Sequence, residues 1–257
     1  MPAPPLPRFI TISLSHYCEK ARWALDLAAI VYREERYLPL LHRWHTRRAG
    51  GATVPLLVTT DEVLCDSAAI ARYAHSHSAG VPLFPAESEQ RHEALELESY
   101  FDKELGPHAR RWAYSHLLGC SALLNRLMAT GVSAAQRALV RPLMAVTRPL
   151  IRSGYRVDAA AAQRSLQRLH AVFARVDARL ADGRRYLVAD ALSIADVSFA
   201  ALAAPLLLPA RYGGALPRLE EIPAAMAAEC TRLRATRAGR FGLELYERCR
   251  TGPAGSA

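Results

Sequence analysis

Two side chains able to do oxygen or sulfur chemistry stand three residues apart near the start of the chain. They are Ser15 and Cys18, within Ser15-His16-Tyr17-Cys18-Glu19-Lys20-Ala21-Arg22-Trp23. On their N-terminal side, Phe9 to Leu14 is rich in β-formers. On their C-terminal side, apolar residues recur at Ala21, Trp23, Ala24, Leu27, Ala28 and Val31, the spacing of one helix face. The pair therefore falls where a strand ends, the chain turns and a helix begins. The first turn of a helix leaves backbone N–H groups unpaired, and the aligned peptide dipoles add partial positive charge. A thiol held there ionises more readily, and a hydroxyl held there helps to hold a thiolate that belongs to a ligand. A serine in this place also serves as an ordinary N-cap, so the chemistry depends on what else reaches the turn.

Two further features belong with it. Thr53-Val54-Pro55-Leu56-Leu57-Val58 reads as a strand entered through a proline, where a missing N–H is tolerated and a cis bond at Val54–Pro55 is expected. Asp66-Ser67 comes after the brief strand Val63–Cys65 and opens a helix to His75, with Ile70, Ala71 and Tyr73 spaced for burial. Around these lie a strand over 8–14, a helix over 17–30 and a second strand from Arg33 to Leu38 that Pro39 ends. Leu40 to Arg48 reads as a short helix or loop, and Gly50-Gly51 as a breaker. The first 80 residues thus run βαβ, then ββα.

This order, with Val54-Pro55 and Asp66-Ser67 in place, resembles the thioredoxin-like domain of glutathione transferases. Ser15-x-x-Cys18-x-Lys20-x-Arg22 looks like that family's Ser-x-x-Ser/Cys turn with its trailing basic residues. The resemblance implies glutathione as co-substrate, its thiolate held by Ser15 and attacking an electrophilic carbon. It also implies that Val54, ahead of Pro55, pairs with the cysteinyl backbone of glutathione. Asp66 would pair the α-ammonium, and Ser67 with its helix N-terminus would hold the γ-glutamyl carboxylate. The catalytic residue varies among the classes of that family, so Cys18 and Tyr17 stand as alternatives to Ser15.

The expected fold is an α/β thioredoxin-like domain over residues 1–80, a proline-rich linker over 81–88, and an all-helical domain over 89–257. Helical periodicity runs from Glu89 to Leu105, is interrupted or kinked at Gly106-Pro107, and resumes to Leu118. A further stretch covers Ser133 to Ile151, with Pro142 and Pro149 as kinks or restarts, and a strong amphipathic helix covers Asp158 to Leu180. Ser193 and Asp196 have capping-box spacing ahead of an apolar helix ending near Leu208. Leu192 to Asp196 resembles the capping motif of the family's helical domain, which implies a buried, structural Asp196. A helix over 220–237 and a last turn or short helix over 240–249 follow. By the same resemblance the first helices of this domain line the acceptor pocket. Trp112 and His116, which share a face by their i, i+4 spacing, would join Tyr17 there. The resemblance also implies a homodimer, built across the first domain of one subunit and the helical domain of the other.

Composition narrows the alternatives. The chain has 257 residues, 51% hydrophobic and 22% charged, as expected of a globular protein with a sizeable core. Its five cysteines are scattered without a Cys-x-x-Cys pair, and its nine histidines show no metal spacing, so neither a disulfide framework nor a metal site is expected. The start, Met-Pro-Ala-Pro-Pro-Leu-Pro, lacks the basic region and apolar core of a signal peptide, and the cytoplasm is the expected compartment. Net charge is +9, yet there is no basic patch interleaved with aromatics and no reading motif, so nucleic acid is not expected as a partner. Between Glu104 and Asp158 there is no acidic residue, while Arg110, Arg111, Arg126, Arg137, Arg141, Arg148, Arg152 and Arg156 lie there. Solvated arginines beside core aromatics account for this. It also suits an electropositive groove that draws anionic acceptors, and contact with an anionic membrane surface ranks last. The leading reading is a glutathione transferase that conjugates small electrophiles, as in detoxification. Its competitors are a glutathione-dependent thiol-disulfide oxidoreductase using Cys18 and a non-catalytic interaction module of the same fold.

Overall fold

The computed structural model describes residues 5–250; the outer ends of the two expected domains, residues 1–4 and 251–257, lie outside them. Strand β1 (Arg8–Thr11) buries Phe9, Ile10 and Thr11 at the centre of a four-stranded sheet. It pairs in parallel with β2 (Arg33–Arg36) and antiparallel with β3 (Leu56–Val58), which pairs antiparallel with β4 (Val63–Cys65), giving the order β2-β1-β3-β4. The register sets Ile10 opposite Leu56, and Leu56 opposite Cys65. The segment leaving β1, the one entering β3 and the one leaving β4 therefore all meet at one end of the sheet. These segments carry Ser15, Val54-Pro55 and Asp66-Ser67.

A parallel β1–β2 pair needs a crossover, and helix α1 (His16–Leu27) supplies it. Every residue of α1 except Tyr17 is buried, because α3 (Ser67–Ser76) packs on one side and a helix of the second domain, α9 (Ile194–Leu207), on another. Helix α2 (Leu41–Arg48) lies between β2 and β3 in the chain. The second half of the chain is helical: α4 (Ser88–Tyr100), α5 (Gly106–Leu117), α6 (Ser121–Ala129), α7 (Ala134–Gly154), α8 (Ala159–Arg179), α9, α10 (Ala224–Ala235) and α11 (Arg237–Cys249). A short 3₁₀ turn, Leu219–Glu221, precedes α10. Helix α9 is buried along its whole length and packs on α1, α4, α5, α10 and α11, so it is the axis of the core. That core is continuous from Phe9, Trp23 and Ile70 in the first half to Phe101, Phe199 and Tyr246 in the second. A smaller apolar cluster gathers Leu38, Leu118, Leu124, Met128, Val140 and Met144 beneath α6 and α7. Among the described residues no helix is long and apolar enough to cross a membrane.

The capping box at α9 is formed. Asp196, fully buried, accepts from the Ser193 N–H and hydroxyl at 2.8 Å each and from the Leu187 N–H at 2.7 Å, while burial pushes its carboxyl up to about 6. The interruption expected at Gly106-Pro107 takes the form of one π-helical turn over Phe101–Leu105, after which the helix runs on as α5 from Gly106. Two local readings need correction. Pro142 and Pro149 lie inside a continuous α7. Both are exposed, so water can satisfy the carbonyls their missing N–H groups leave open. Helix α6 has no counterpart in the sequence reading, because its nine residues are too few to display a period.

Candidate active site

Ser15 is the N-cap of α1, with φ −80° and ψ 113°, and its Oγ accepts a hydrogen bond from the Cys18 N–H at 3.3 Å. A serine hydroxyl has two acceptor lone pairs and one donor hydrogen. The cap uses a lone pair; the O–H, which also lies within reach of the Cys18 thiol, can donate to a sulfur anion. The N–H groups of the first helical turn point the same way, with the positive end of the helix dipole. Ser15 lines a cavity of about 410 Å³ whose wall also includes Val54, His16, Tyr17, Arg110, Tyr114 and Tyr155. The site can therefore hold a sulfur anion: a donor hydroxyl, a helix N-terminus and an adjoining apolar space.

The Val54–Pro55 peptide is cis, and Pro55 is buried at the entrance to β3. The Pro55 carbonyl accepts from the Asp66 N–H at 3.3 Å, which ties the end of β4 to the proline turn. Asp66 is exposed, caps α3 by accepting from the Ala69 N–H at 2.8 Å, and holds φ 87° with ψ 158°. That backbone region costs a residue with a Cβ on the order of 1–3 kcal/mol, and such strain concentrates at ligand sites. Ser67 is buried at the first position of α3. Asp66 and Ser67 do not line the cavity wall itself; they lie beside it, beyond the Val54–Pro55 turn.

The two alternatives to Ser15 are placed differently. Cys18 is fully buried, outside the cavity wall, and burial pushes its thiol up to about 11, so it stays protonated near neutral pH. The ring of Tyr17 lines the cavity, but its hydroxyl donates to the Asp102 carbonyl at 2.9 Å and is pushed upward in pKa by burial. It has no proton left to offer a thiolate. His16, next to Ser15, is a cavity residue that the sequence reading missed. Its Nε2 donates to the Gly106 carbonyl at 3.1 Å, and burial together with the nearby Arg110 charge holds it down to about 3. The imidazole is neutral and too weak a base to take a thiol proton, so it serves to fasten the start of α1 to the start of α5.

Trp112 and His116 do share a face, their rings 4.9 Å apart edge to face, but that face is turned from Ser15. They line a second cavity with Arg152, Asp158 and Glu229, and Trp112 is buried. The helix α5 positions that do reach the Ser15 cavity are Arg110, Ala113, Tyr114 and Leu117. His42 and Arg43 of α2 and Thr147, Leu150, Ile151 and Tyr155 of α7 and the turn after it complete its far side. Tyr114 borders both cavities, and the packing of α5 against α8 and α9 decides which of its neighbours face Ser15.

Buried charges fix the orientation of α1. Lys20 is fully buried, with its Nζ 2.8 Å from carboxylate oxygens of both Glu98 and Asp102, which anchors the first domain to α4 and the π turn. On another side Glu19 accepts from Arg250 Nε at 2.8 Å and from the Gly213 N–H at 3.1 Å, while Arg250 also reaches Asp26 at 2.6 Å. Arg22 bridges Glu19 and Glu34, and Arg36 joins Glu34 at 2.8 Å. The basic residues trailing Ser15 in sequence are thus buried struts rather than a solvated face.

Known proteins share this architecture. A family model described as glutathione S-transferase, N-terminal domain, matches residues 14–77, and one described as glutathione S-transferase, C-terminal domain, matches residues 159–235. No curated protein matches the sequence. Among solved structures, a glutathione transferase from Phanerochaete chrysosporium superposes with a TM-score of 0.63 at 17% identity, covering 97% of this chain and 99% of the other. A glutathione S-transferase of Ceriporiopsis subvermispora in complex with glutathione gives 0.60 at 15% identity, over 96% and 99%. The β-etherase LigF from Sphingobium sp. strain SYK-6 gives 0.58 at 20% identity, over 93% and 99%.

Proposed function

Because the chain belongs to the glutathione S-transferase superfamily, we propose that it is a glutathione transferase conjugating the thiol of glutathione to a small electrophile. The observation that carries this reading is the Ser15 hydroxyl, a hydrogen-bond donor at the N-terminus of α1 and in the wall of the cavity. Glutathione lies along the end of the sheet. Its cysteinyl backbone pairs with Val54 beside Pro55, its α-ammonium faces Asp66, and its γ-glutamyl carboxylate meets Ser67 and the N-terminus of α3. Ser15 donates to the thiolate and lowers the thiol pKa. The sulfur pair then forms a bond to the electrophilic carbon. The leaving group departs with its bonding pair or, for addition to a conjugated double bond, the neighbouring carbon takes a proton from water. The rate gain comes from thiol ionisation and from holding the two reactants together.

In this reading residues 1–80 form the glutathione-binding domain, 81–88 the linker, and 89–257 the acceptor-binding and dimerisation domain. The protein acts in the cytoplasm, where a glutathione pool is maintained, and in detoxification. It works as a homodimer across the first domain of one subunit and the helical domain of the other, which light scattering reads as twice 28.2 kDa. The burial of Cys18 weighs against thiol exchange. Calorimetric titration with glutathione, then conjugation assays on aryl halides, enones and epoxides, tests the function. Binding with turnover of at least one class is expected. Absence of glutathione binding would overturn the reading in favour of an interaction module.

A further inference from the structure

Among the described residues Arg110 is a cation paired with no carboxylate. Its Nε is buried with no hydrogen-bond partner, and among the described residues its guanidinium forms no hydrogen bond or ion pair. By contrast Arg111 donates to the Tyr155 carbonyl at 2.8 Å and to the Ser165 hydroxyl at 3.0 Å, and Arg148, whose Nε is also buried without a partner, still donates through its other nitrogens, to Asn125 Oδ1 at 3.1 Å among others. Two aromatic rings flank Arg110. Its guanidinium carbon lies 4.1 Å from the centre of the Tyr155 ring and 5.8 Å from that of Tyr17. Local sequence offers no carboxylate, since residues 105–157 contain no acid. An incompletely hydrated guanidinium with unmade hydrogen bonds is costly unless an anion completes it.

The position of this charge gives it a use. Arg110 lines the same cavity as Ser15. Burial dominates the titration of His16, Tyr17 and Tyr114, and the field of Arg110 reaches all three and acts downward on each. Beside it the Tyr114 and Tyr155 rings are parallel, their planes 6° apart and centres 5.9 Å apart. Much of the rest of that wall is apolar, including Leu14, Leu117, Leu150, Ile151 and Leu208, while His42, Arg43, Thr53 and Thr147 add polar groups to it. The cavity therefore combines flat aromatic surface, aliphatic surface and, beside the aromatic rings, the planar cation of Arg110, with Arg43 on the far side. Guanidinium is the side chain best matched to a carboxylate, through two parallel N–H···O bonds.

We propose that Arg110 anchors a carboxylate on the acceptor, so that the acceptor class is a ring-bearing, apolar electrophile carrying an anionic group. The chemistry performed on that acceptor rests on the proposed glutathione-transferase function, whereas the anchoring itself does not. The test compares biphenyl-4-carboxylate with its neutral isostere biphenyl-4-carboxamide by calorimetry. It uses wild type, Arg110→Met and Arg110→Lys, with glutathione affinity measured in parallel and folding checked by circular dichroism. Wild type should bind the carboxylate at least tenfold more tightly than the amide. Arg110→Met should bind both at the level of the amide, and Arg110→Lys, a point charge without the fork, should keep part of the preference. Equal affinity of wild type for the two probes, no binding of either, or a preference that survives Arg110→Met overturns the proposal. So does a loss of glutathione affinity in Arg110→Met with the acceptor preference intact, which would assign the cation to glutathione. A wild type that prefers the carboxylate yet binds no glutathione sinks the transferase reading and leaves the anchor standing.

Discussion

The Ser15 hydroxyl separates two tasks by atom. Its oxygen caps α1 through the Cys18 N–H, and its hydrogen can be donated to a thiolate. Ser15→Ala should therefore lose both. The cap is worth about 0.5–2 kcal/mol of stability, and a hydrogen bond to a charged group about 1.5–3 kcal/mol, or roughly ten- to a hundredfold in turnover. The bound glutathione thiol should titrate about one to two units higher in the variant, read from thiolate absorbance against pH. Cys18→Ala should leave turnover and that titration in place, because the thiol is buried and protonated. Loss of activity in Cys18→Ala with retention in Ser15→Ala would pass the chemistry to thiol exchange. At this scale the sequence is legible where chemistry is written into residue type and order: a serine between strand and helix, a proline at a strand entrance, an Asp-Ser helix start. It is mute where a hydroxyl's partner lies far along the chain. Nothing near Tyr17 announces that its proton belongs to the Asp102 carbonyl, 85 residues away.

Elements decide which of these residues meet. Two antiparallel pairings bring the ends of β1, β3 and β4 together, so Ser15, Val54 and Asp66 gather although up to 51 positions separate them. Period-2 and period-3.6 patterns suffice to read that arrangement, and the βαβ-ββα order is formed as expected. Helix faces in the second domain are harder. Trp112 and His116 satisfy the i, i+4 rule and do touch. Spacing fixes which residues share a face, however, and only packing fixes where that face points. Asp66 offers a test at this scale. One carboxylate oxygen caps α3, and the residue holds a strained φ of 87°. Asn caps about as well as Asp and is nearly its isostere, so it bears the same backbone strain. Asp66→Asn should thus keep the melting temperature while removing the charge proposed to pair with the α-ammonium. Glutathione affinity should fall roughly ten- to a hundredfold, equivalent to about 1.5–3 kcal/mol. Asp66→Ala should lose stability as well. Unchanged calorimetric affinity in Asp66→Asn would remove Asp66 from the glutathione site.

At the scale of the whole molecule, the site is held by charges that composition alone would place on the surface. Lys20 ties the first domain to Glu98 and Asp102 of the second, and Glu19, Arg22, Glu34, Arg36, Asp26 and Arg250 form a connected set around α1. An arginine-rich sequence with net charge +9 gives no hint of which arginines are buried, because burial arises from the meeting of segments distant in sequence. Such pairs need not add net stability over an apolar core, but removing one partner strands the other. Glu34 makes this measurable. Although burial opposes it, the Arg22 and Arg36 guanidinium groups hold its carboxyl down to about 2, against an ordinary value of 4.5. A depressed carboxylate contributes stability above its unfolded pKa and loses it as pH falls through the folded one. The contribution is therefore complete above about pH 4.5 and declines towards pH 2, and at 1.36 kcal/mol per unit it amounts to roughly 3 kcal/mol. Glu34→Gln should be less stable than wild type by about that amount at pH 7 in urea unfolding. At pH 3, where the wild-type advantage is more than half gone, the gap should narrow by roughly 2 kcal/mol. An equal gap at both pH values would mean that Glu34 acts through packing, and that the charged set around α1 does not govern the acid stability of the fold.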